Sequence, residues 1–532
     1  MKLLTSCAIL ASALTACAKS EPGYYANLTW EQPRTLSNWS NFTVETQTGT
    51  FIGMLNDTYP DVRQFLLVPY AQVGGSHSPP VGDLRWLPPQ KLKKTNRTFD
   101  STRYGPACPQ YVSTYDSIWT EYSPTALLYN LGETRTQGST AWSTAEDCLS
   151  LAIWTPASAD RRSNLPVALF VTGGGGVTGG IAIPSQLPPH WVSRSQEHIV
   201  VTMNYRVNIF GNPKSRALDE TSLTLLDVRA AVEWVHENIE SFGGNKDNIM
   251  LWGQSQGAAL THLYTLAFPD DPLAAKFGIL SQPPSVTIDL STTDDVYQDF
   301  DIVAQALGCN YGRDATASLE CMRKVSWVQI SEFINRYNAS PSISFSSYIP
   351  DEKYIFANET QRYRSGHVAR GPAIRSNVDR ESASTNLTAS ALTEMEWSCA
   401  TATDAALRRA IGLDTYRYFW AGNFTNISPT PWLGAYHSSD LLMVFGTYMK
   451  QIGAVPELEV LTSETMQDHF LAFMKDAASL AETVGWVPFD PAGVDGGSIV
   501  EFGKGAAARN VTGDWLDKAC TSGDLGDVRV WG

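Results

Sequence analysis

The sequence predicts an α/β protein built on a central, mostly parallel sheet flanked by helices. Three observations predict it. Short, almost uninterrupted apolar runs recur through the middle of the chain, as in strands buried on both faces. Segments with apolar residues at helical spacing alternate with those runs. Glycine clusters stand where runs and helices end.

Val62–Gln72 (VRQFLLVPYAQ) reads as a buried strand and turn, and Pro79–Pro89 as a proline-punctuated loop. Val167–Val171 (VALFV) is a short buried strand that runs into the glycines Gly173 to Gly176. Ile199–Tyr205 is another strand. Ser222–Phe242 has helical spacing and is stopped by Gly243 and Gly244. Asn248–Gly253 is a strand, a helix follows from Gln256, and Phe277–Ser281 is a strand again. Beyond about Pro283 the pattern is irregular and reads as long excursions on one sheet. Ser463–Glu482 reads as a late amphipathic helix. Residues 19–532 are therefore expected to form one large domain.

Hydrophobic content of 43% and charged content of 17% describe an ordered globular chain of 532 residues. A net charge of −15 argues against a nucleic-acid or anionic-membrane partner, both of which want a basic face. Lys2, the apolar stretch Leu3–Leu14 and Ala16-Cys17-Ala18 read as a secretory signal over residues 1–18. Leu14-Thr15-Ala16-Cys17 is also readable as a bacterial lipidation site. The density of N-x-S/T sequons favours the secreted, N-glycosylated eukaryotic reading; they stand at Asn27, Asn38, Asn41, Asn56, Asn96, Asn338, Asn358, Asn386, Asn423, Asn426 and Asn510. No later run of about 18 apolar residues offers a membrane anchor. Six cysteines follow the leader: Cys108, Cys148, Cys309, Cys321, Cys399 and Cys520. An even number in an oxidising compartment favours disulfides, and the lack of C-x-x-C spacing argues against zinc.

Gly253-Gln254-Ser255-Gln256-Gly257 is a G-x-S-x-G pentapeptide. Alone it is weak evidence, because a serine between glycines is common. Here an apolar strand precedes it and a helical pattern follows, which is the setting of a nucleophilic serine on a tight turn. The helix N-terminus behind Ser255 favours developing negative charge.

A serine hydroxyl needs a base, and the base an orienting carboxylate. In the α/β-hydrolase order the chain runs serine, acid, histidine. Of eight histidines, His77, His190, His198 and His236 precede the serine. His262 lies within the following helix and His469 within the late one, while His367 comes before the acid candidates. His437, in the small-residue segment GAYHSSD, remains. Gly371–Ser384 offers the acid: a short strand at Ala373-Ile374 leads into a polar loop carrying Asp379 and Glu381, which composition does not separate. The glycine loop Phe170–Gly180 lets main-chain N–H groups approach an oxyanion, and no Gly-Lys-Ser/Thr follows to make it a phosphate loop.

With these pieces placed, the chain resembles the type-B carboxylesterase/lipase family, which includes cholinesterases and secreted fungal lipases. The resemblance rests on Val68–Gln90, Ala145–Pro156, the glycine loop, Asn204–Gly211, Leu225–Ala259 and Gly434–Tyr448, the last most like fungal members. It implies an α/β-hydrolase fold whose excursions form a gorge or lid, and hydrolysis of carboxylic esters without metal or cofactor. It places the acid at Glu381, nine residues after Pro372, and the oxyanion donors at Gly174, Gly175 and Gln256, a register that four consecutive glycines leave open by one. It also implies the pairs Cys108–Cys148, closing a pocket-mouth loop or lid that holds Trp119, Tyr122, Leu127, Leu128, Tyr129 and Trp142, Cys309–Cys321 and Cys399–Cys520.

The sequence departs from the family at Thr172 and Gly176, where aromatics or histidine are usual, and at Gln254 and Gln256, where Glu and Ala are usual. Gln282-Pro283-Pro284 replaces the common Ser-Gly, and Ser382 replaces a glycine. These residues surround the site, so substrate scope is expected to differ. Two rivals to a hydrolase are an acyltransferase using the same acyl-enzyme and a non-catalytic binding protein of the same fold.

Overall fold

The computed structural model describes residues 42–72, 85–111, 144–284, 294–382, 387–430, 432–451, 453–524 and 528. The leader, the sequons at Asn27, Asn38, Asn41 and Asn386, and Trp119, Tyr122, Leu127, Leu128, Tyr129 and Trp142 of the Cys108–Cys148 loop lie outside them. Trp39–Gly532 forms one compact unit.

The apolar runs become ten strands of one sheet: β1 (Val62–Pro69), β2 (Ser150–Pro156), β3 (Leu165–Val171), β4 (Ile199–Met203), β5 (Gly244–Gln254), β6 (Lys276–Leu280), β7 (Ala373–Val378), β8 (Thr415–Trp420), β9 (Ser498–Phe502) and β10 (Ala508–Thr512). Their order is β10-β9-β8-β7-β6-β5-β3-β4-β2-β1. From β4 through β9 neighbouring strands are parallel; β1, β2 and β10 are antiparallel edges. The irregular region after Pro283 thus returns to the same sheet three times in parallel, at β7, β8 and β9, with helices on its excursions.

Alternation along β5 explains why its run is apolar throughout. Ile249 and Leu251 point into the core on one face, Met250 and Trp252 into the core on the other. Trp252 is fully buried among Phe170, Phe445, Phe470 and Trp191, with ring centroids 4.5, 5.5, 5.7 and 6.3 Å away. Helices α1 (Leu223–Asn238) and α2 (Gln256–Ala267) cover the Leu251 face, and Gly243, in the left-handed region at φ 97°, ends the 3-10 turn that extends α1. Three more helices matter for the site: α3 (Leu387–Ala410), α4 (Asp440–Phe445) and α5 (Glu457–Lys475).

Two boundaries differ from the sequence reading. β5 starts at Gly244, four residues earlier than its apolar run, because polar residues 245–248 extend the strand. The late helix spans Glu457–Lys475, not Ser463–Glu482: it starts directly after Pro456 and breaks at Asp476, whose backbone is extended. The three disulfides form as the resemblance implied: Cys108–Cys148, Cys309–Cys321 and Cys399–Cys520.

Candidate active site

The register of the parallel strands gathers the site at their C-terminal edge. Gly253 of β5 pairs with Val171 of β3 and Ile279 of β6, so the glycine loop after Val171 and the turn after Gln254 leave the sheet side by side. Val378 at the end of β7 pairs with Trp420 of β8, and the acid loop leaves at the same edge.

Ser255 sits between β5 and α2 at φ 57°, ψ −123°, a strained conformation for a residue with a side chain. Its flanking glycines follow from close packing. A Cβ on Gly257 would stand 2.0 Å from the Val171 carbonyl oxygen, and one on Gly253 2.4 Å from the Gly257 carbonyl. The turn therefore exists only where two main chains approach without side chains.

Two far-separated loops meet opposite this turn. Arg380 donates its main-chain N–H to the Ala435 carbonyl at 3.1 Å and accepts the N–H of His437 at 3.1 Å, which fixes the acid loop beside the histidine loop. His437 Nδ1 lies 2.5 Å from Glu381 Oε2, and Glu381 Oε1 accepts the Val378 N–H at 3.0 Å. Asp379, the other acid candidate, instead lies 3.6 Å from the Arg380 guanidinium. Its carboxyl is pushed up to about 6, chiefly by burial. Glu381 and His437 are both buried, at 7% and 8% exposure. The ring's other nitrogen, Nε2, accepts the side-chain amide of Gln254 at 3.1 Å, on the residue before Ser255. Glu381 and His437 thus meet, and Gln254 joins the imidazole to the residue before Ser255.

Gly174, Gly175 and Gly176 adopt φ of 117°, 61° and 74°. Gly174 lends its carbonyl to the N–H groups of Val177 and Thr178, closing a turn whose inner face leaves no room for a Cβ. Among the described residues, the N–H groups of Gly174, Gly175 and Gln256 donate to no protein acceptor. The departures are absorbed locally. Thr172 donates to Gln186 Oε1 at 2.8 Å, and its carbonyl accepts the Tyr205 hydroxyl at 2.6 Å. Gln256 donates to the buried Tyr348 hydroxyl at 3.1 Å, and its side chain lies beside Gly176, in space next to where an aromatic would begin.

The other histidines that follow Ser255 are elsewhere. His262 is buried on α2 against Glu359 at 3.0 Å and Arg375 at 2.9 Å. His469 packs between Trp486 and Phe502. His367 is exposed beside Ser365. Among the sequons, Asn426 is buried and donates to Glu459 Oε1 at 3.0 Å, so in this fold it presents no acceptor for a glycan. Sequence reasoning missed the contribution of α3: Glu394 and Trp397 approach the acid and the histidine, and only their spacing of three on one helix face hinted at a shared target.

A sheet of this topology, with a strained serine after its fifth strand and the site at its C-terminal edge, defines an α/β-hydrolase. A family model described as the Carboxylesterase family matches residues 40–383, and the chain belongs to that family of carboxylic ester hydrolases. It is 39% identical to a chlorogenic acid esterase of Aspergillus niger over 469 residues, covering 86% of this chain and 87% of the relative. It is 33% identical to secreted lipase 5 of Gibberella zeae, covering 84% and 88%. Similarity to acetylcholinesterase of Electrophorus electricus, at 31% identity, covers 49% of this chain and 38% of that protein. Among the described residues, no helix is long and apolar enough to cross a membrane.

Proposed function

We propose that this chain is a secreted serine esterase working through an acyl-enzyme, with Ser255 as nucleophile, His437 as general base and acid, and Glu381 as its orienting carboxylate. The observation that carries the reading is the 2.5 Å contact between Glu381 Oε2 and His437 Nδ1 at the turn that strains Ser255. Nδ1 gives its proton toward Glu381, so Nε2 carries the lone pair that receives the serine proton. Gln254 amide holds that lone pair at rest and must yield it as Ser255 attacks the ester carbonyl. The carbonyl oxygen then gathers negative charge, which the N–H groups of Gly174, Gly175 and Gln256 would receive. His437 returns the proton to the departing alcohol, Glu381 offsets the charge of the imidazolium, and water resolves the acyl-enzyme by the same relay.

The substrate class we propose is an ester of a polar aromatic acid, of which chlorogenic acid is the test case. Extensive similarity to a chlorogenic acid esterase supports it. Similarity to secreted fungal enzymes, with the Lys2–Ala18 leader and the exposed sequons at Asn96, Asn338, Asn358, Asn423 and Asn510, supports a secreted, N-glycosylated protein.

The test pairs a fluorophosphonate probe with hydrolysis of chlorogenic acid and of p-nitrophenyl esters of graded acyl length. Labelling at Ser255 and loss of both signals in Ser255→Ala is expected. An unlabelled protein would be a binding protein of this fold. A labelled one that passes the acyl group to added alcohols in preference to water would be a transferase. Preference for long acyl chains over chlorogenic acid would replace the aromatic-acid reading with a lipase.

A further inference from the structure

We propose that α3 carries a positioning residue for the triad, Glu394, whose carboxyl grips the main chain of the turn presenting Glu381, while Trp397 on the same helix face buttresses His437. The proposal rests on the reading of Ser255, His437 and Glu381 given above.

Glu381 has to point its Oε2 at an imidazole 56 residues away in sequence, from a loop that begins where β7 ends. One oxygen is tied back to the Val378 N–H, and the remainder of the turn needs its own hold. That hold comes from Glu394, which is 5% exposed: Oε1 accepts the Ser382 N–H at 3.3 Å, and the Glu381 N–H bonds to the same carboxyl. Three residues on, the Trp397 ring meets His437 edge-on, with centroids 5.0 Å apart and planes at 80°. One helix therefore touches both the acid's main chain and the base's ring, and adds to the Arg380 bridge that joins the two loops. Cys399, two residues further, pins that helix to Cys520.

The arrangement places two carboxyl groups together out of water, and they cannot both be charged cheaply. Glu381 has His437 as partner. Glu394 has none of opposite charge within the acid turn except Arg380, which is paired with Asp379; Glu381 and Asp379 both oppose its ionisation. Burial first, and the Glu381 charge second, push it up to about 9. Below that pH Glu394 is a neutral acid accepting main-chain N–H groups. Above it, a second negative charge enters beside Glu381 and loosens the turn.

The experiment is steady-state kinetics on the full chain from pH 6 to 10, with fluorophosphonate labelling as a second readout. Glu394→Ala is expected to lower kcat by about tenfold or more, approaching the roughly 100-fold that small misplacements cost, with KM little changed. Glu394→Gln keeps a neutral acceptor of the same shape. It should restore kcat to within about twofold of the native value at pH 7 and abolish the decline above pH 9. Wild-type kcat in Glu394→Ala, or an alkaline limb that persists unchanged in a folded Glu394→Gln, would overturn the proposal; the Gln variant decides if the Ala variant fails to fold. Full activity in Ser255→Ala would instead sink the triad reading, and the two failures are told apart by that variant.

Discussion

Gln254 donates its side-chain amide to Nε2 of His437 at 3.1 Å, although the two residues are 183 positions apart. An amide donor there requires Nε2 to accept, which leaves the ring proton on Nδ1, facing Glu381. The Gln254 carbonyl oxygen is buried without a hydrogen-bond partner. The side chain therefore gives the imidazolium no charge support.

Gln254→Glu should supply that support. A carboxylate against Nε2 stabilises the protonated ring, so the acidic limb of kcat/KM moves to higher pH. The measurement is the pH profile on a p-nitrophenyl ester. An unmoved limb in a folded variant would mean that residue 254 does not face the imidazole.

Gly257→Ala tests the nucleophile turn. Its Cβ would need space 2.0 Å from the Val171 carbonyl oxygen, a main-chain atom that cannot swing away. The strand must shift, at about 1–3 kcal/mol or more, and the turn at Ser255 moves with it. Expected are a lower urea midpoint and loss of fluorophosphonate labelling. A variant labelled at the native rate would contradict the packing.

Removing the Cys399–Cys520 bond tests the anchorage of α3. It closes a loop of 121 residues, for which loop entropy gives about 5 kcal/mol of stabilisation as an upper figure. The double variant Cys399→Ser, Cys520→Ser should unfold at clearly lower urea, with kcat falling before global unfolding. Equal decline of stability and activity along the urea axis would show that α3 is not loosened locally.

Acid sensitivity should trace to His198. This ring is fully buried between Ser195 and Trp191, and burial depresses it to about 3. Between pH 6.5 and 3 the unfolded chain takes up a proton that the fold refuses. The stability this ring contributes is present above 6.5 and is lost as pH falls, by about 2 kcal/mol at pH 5. His198→Gln should flatten urea-measured stability over that window relative to the native chain; an unchanged slope would assign the acid loss elsewhere. Glu394 works in the opposite sense: its raised affinity for a proton costs stability as pH rises from 4.5 to about 9.

What was legible in the sequence was local. The turn at Ser255 is written in adjacent residues, because a strand, a hydroxyl between two glycines and a helix N-terminus must occur in that order for the main chains to approach. The glycine loop is legible for the same reason. Element limits were less so: Pro456 starts α5 earlier than its apolar pattern, and β5 reaches back to Gly244, which pairs with Leu165 across the irregular polar stretch 245–248.

By itself, the sequence determined the layered α/β core and the strand–serine–helix turn at Ser255, since periodicity and turn chemistry act over a few residues. Composition left Asp379 and Glu381 open and only the family resemblance favoured Glu381; the tertiary structure shows which of them lies against the imidazole. Successive residues of that turn face different sides, and the bridge from Arg380 to the 435–437 segment is what sends Glu381 to the imidazole and Asp379 to a guanidinium. The same holds for Gln254 against His437 and for Glu394 behind the acid turn. Their partners lie on other strands and helices, and charge, burial and direction at those contacts arise only when the sheet brings them together.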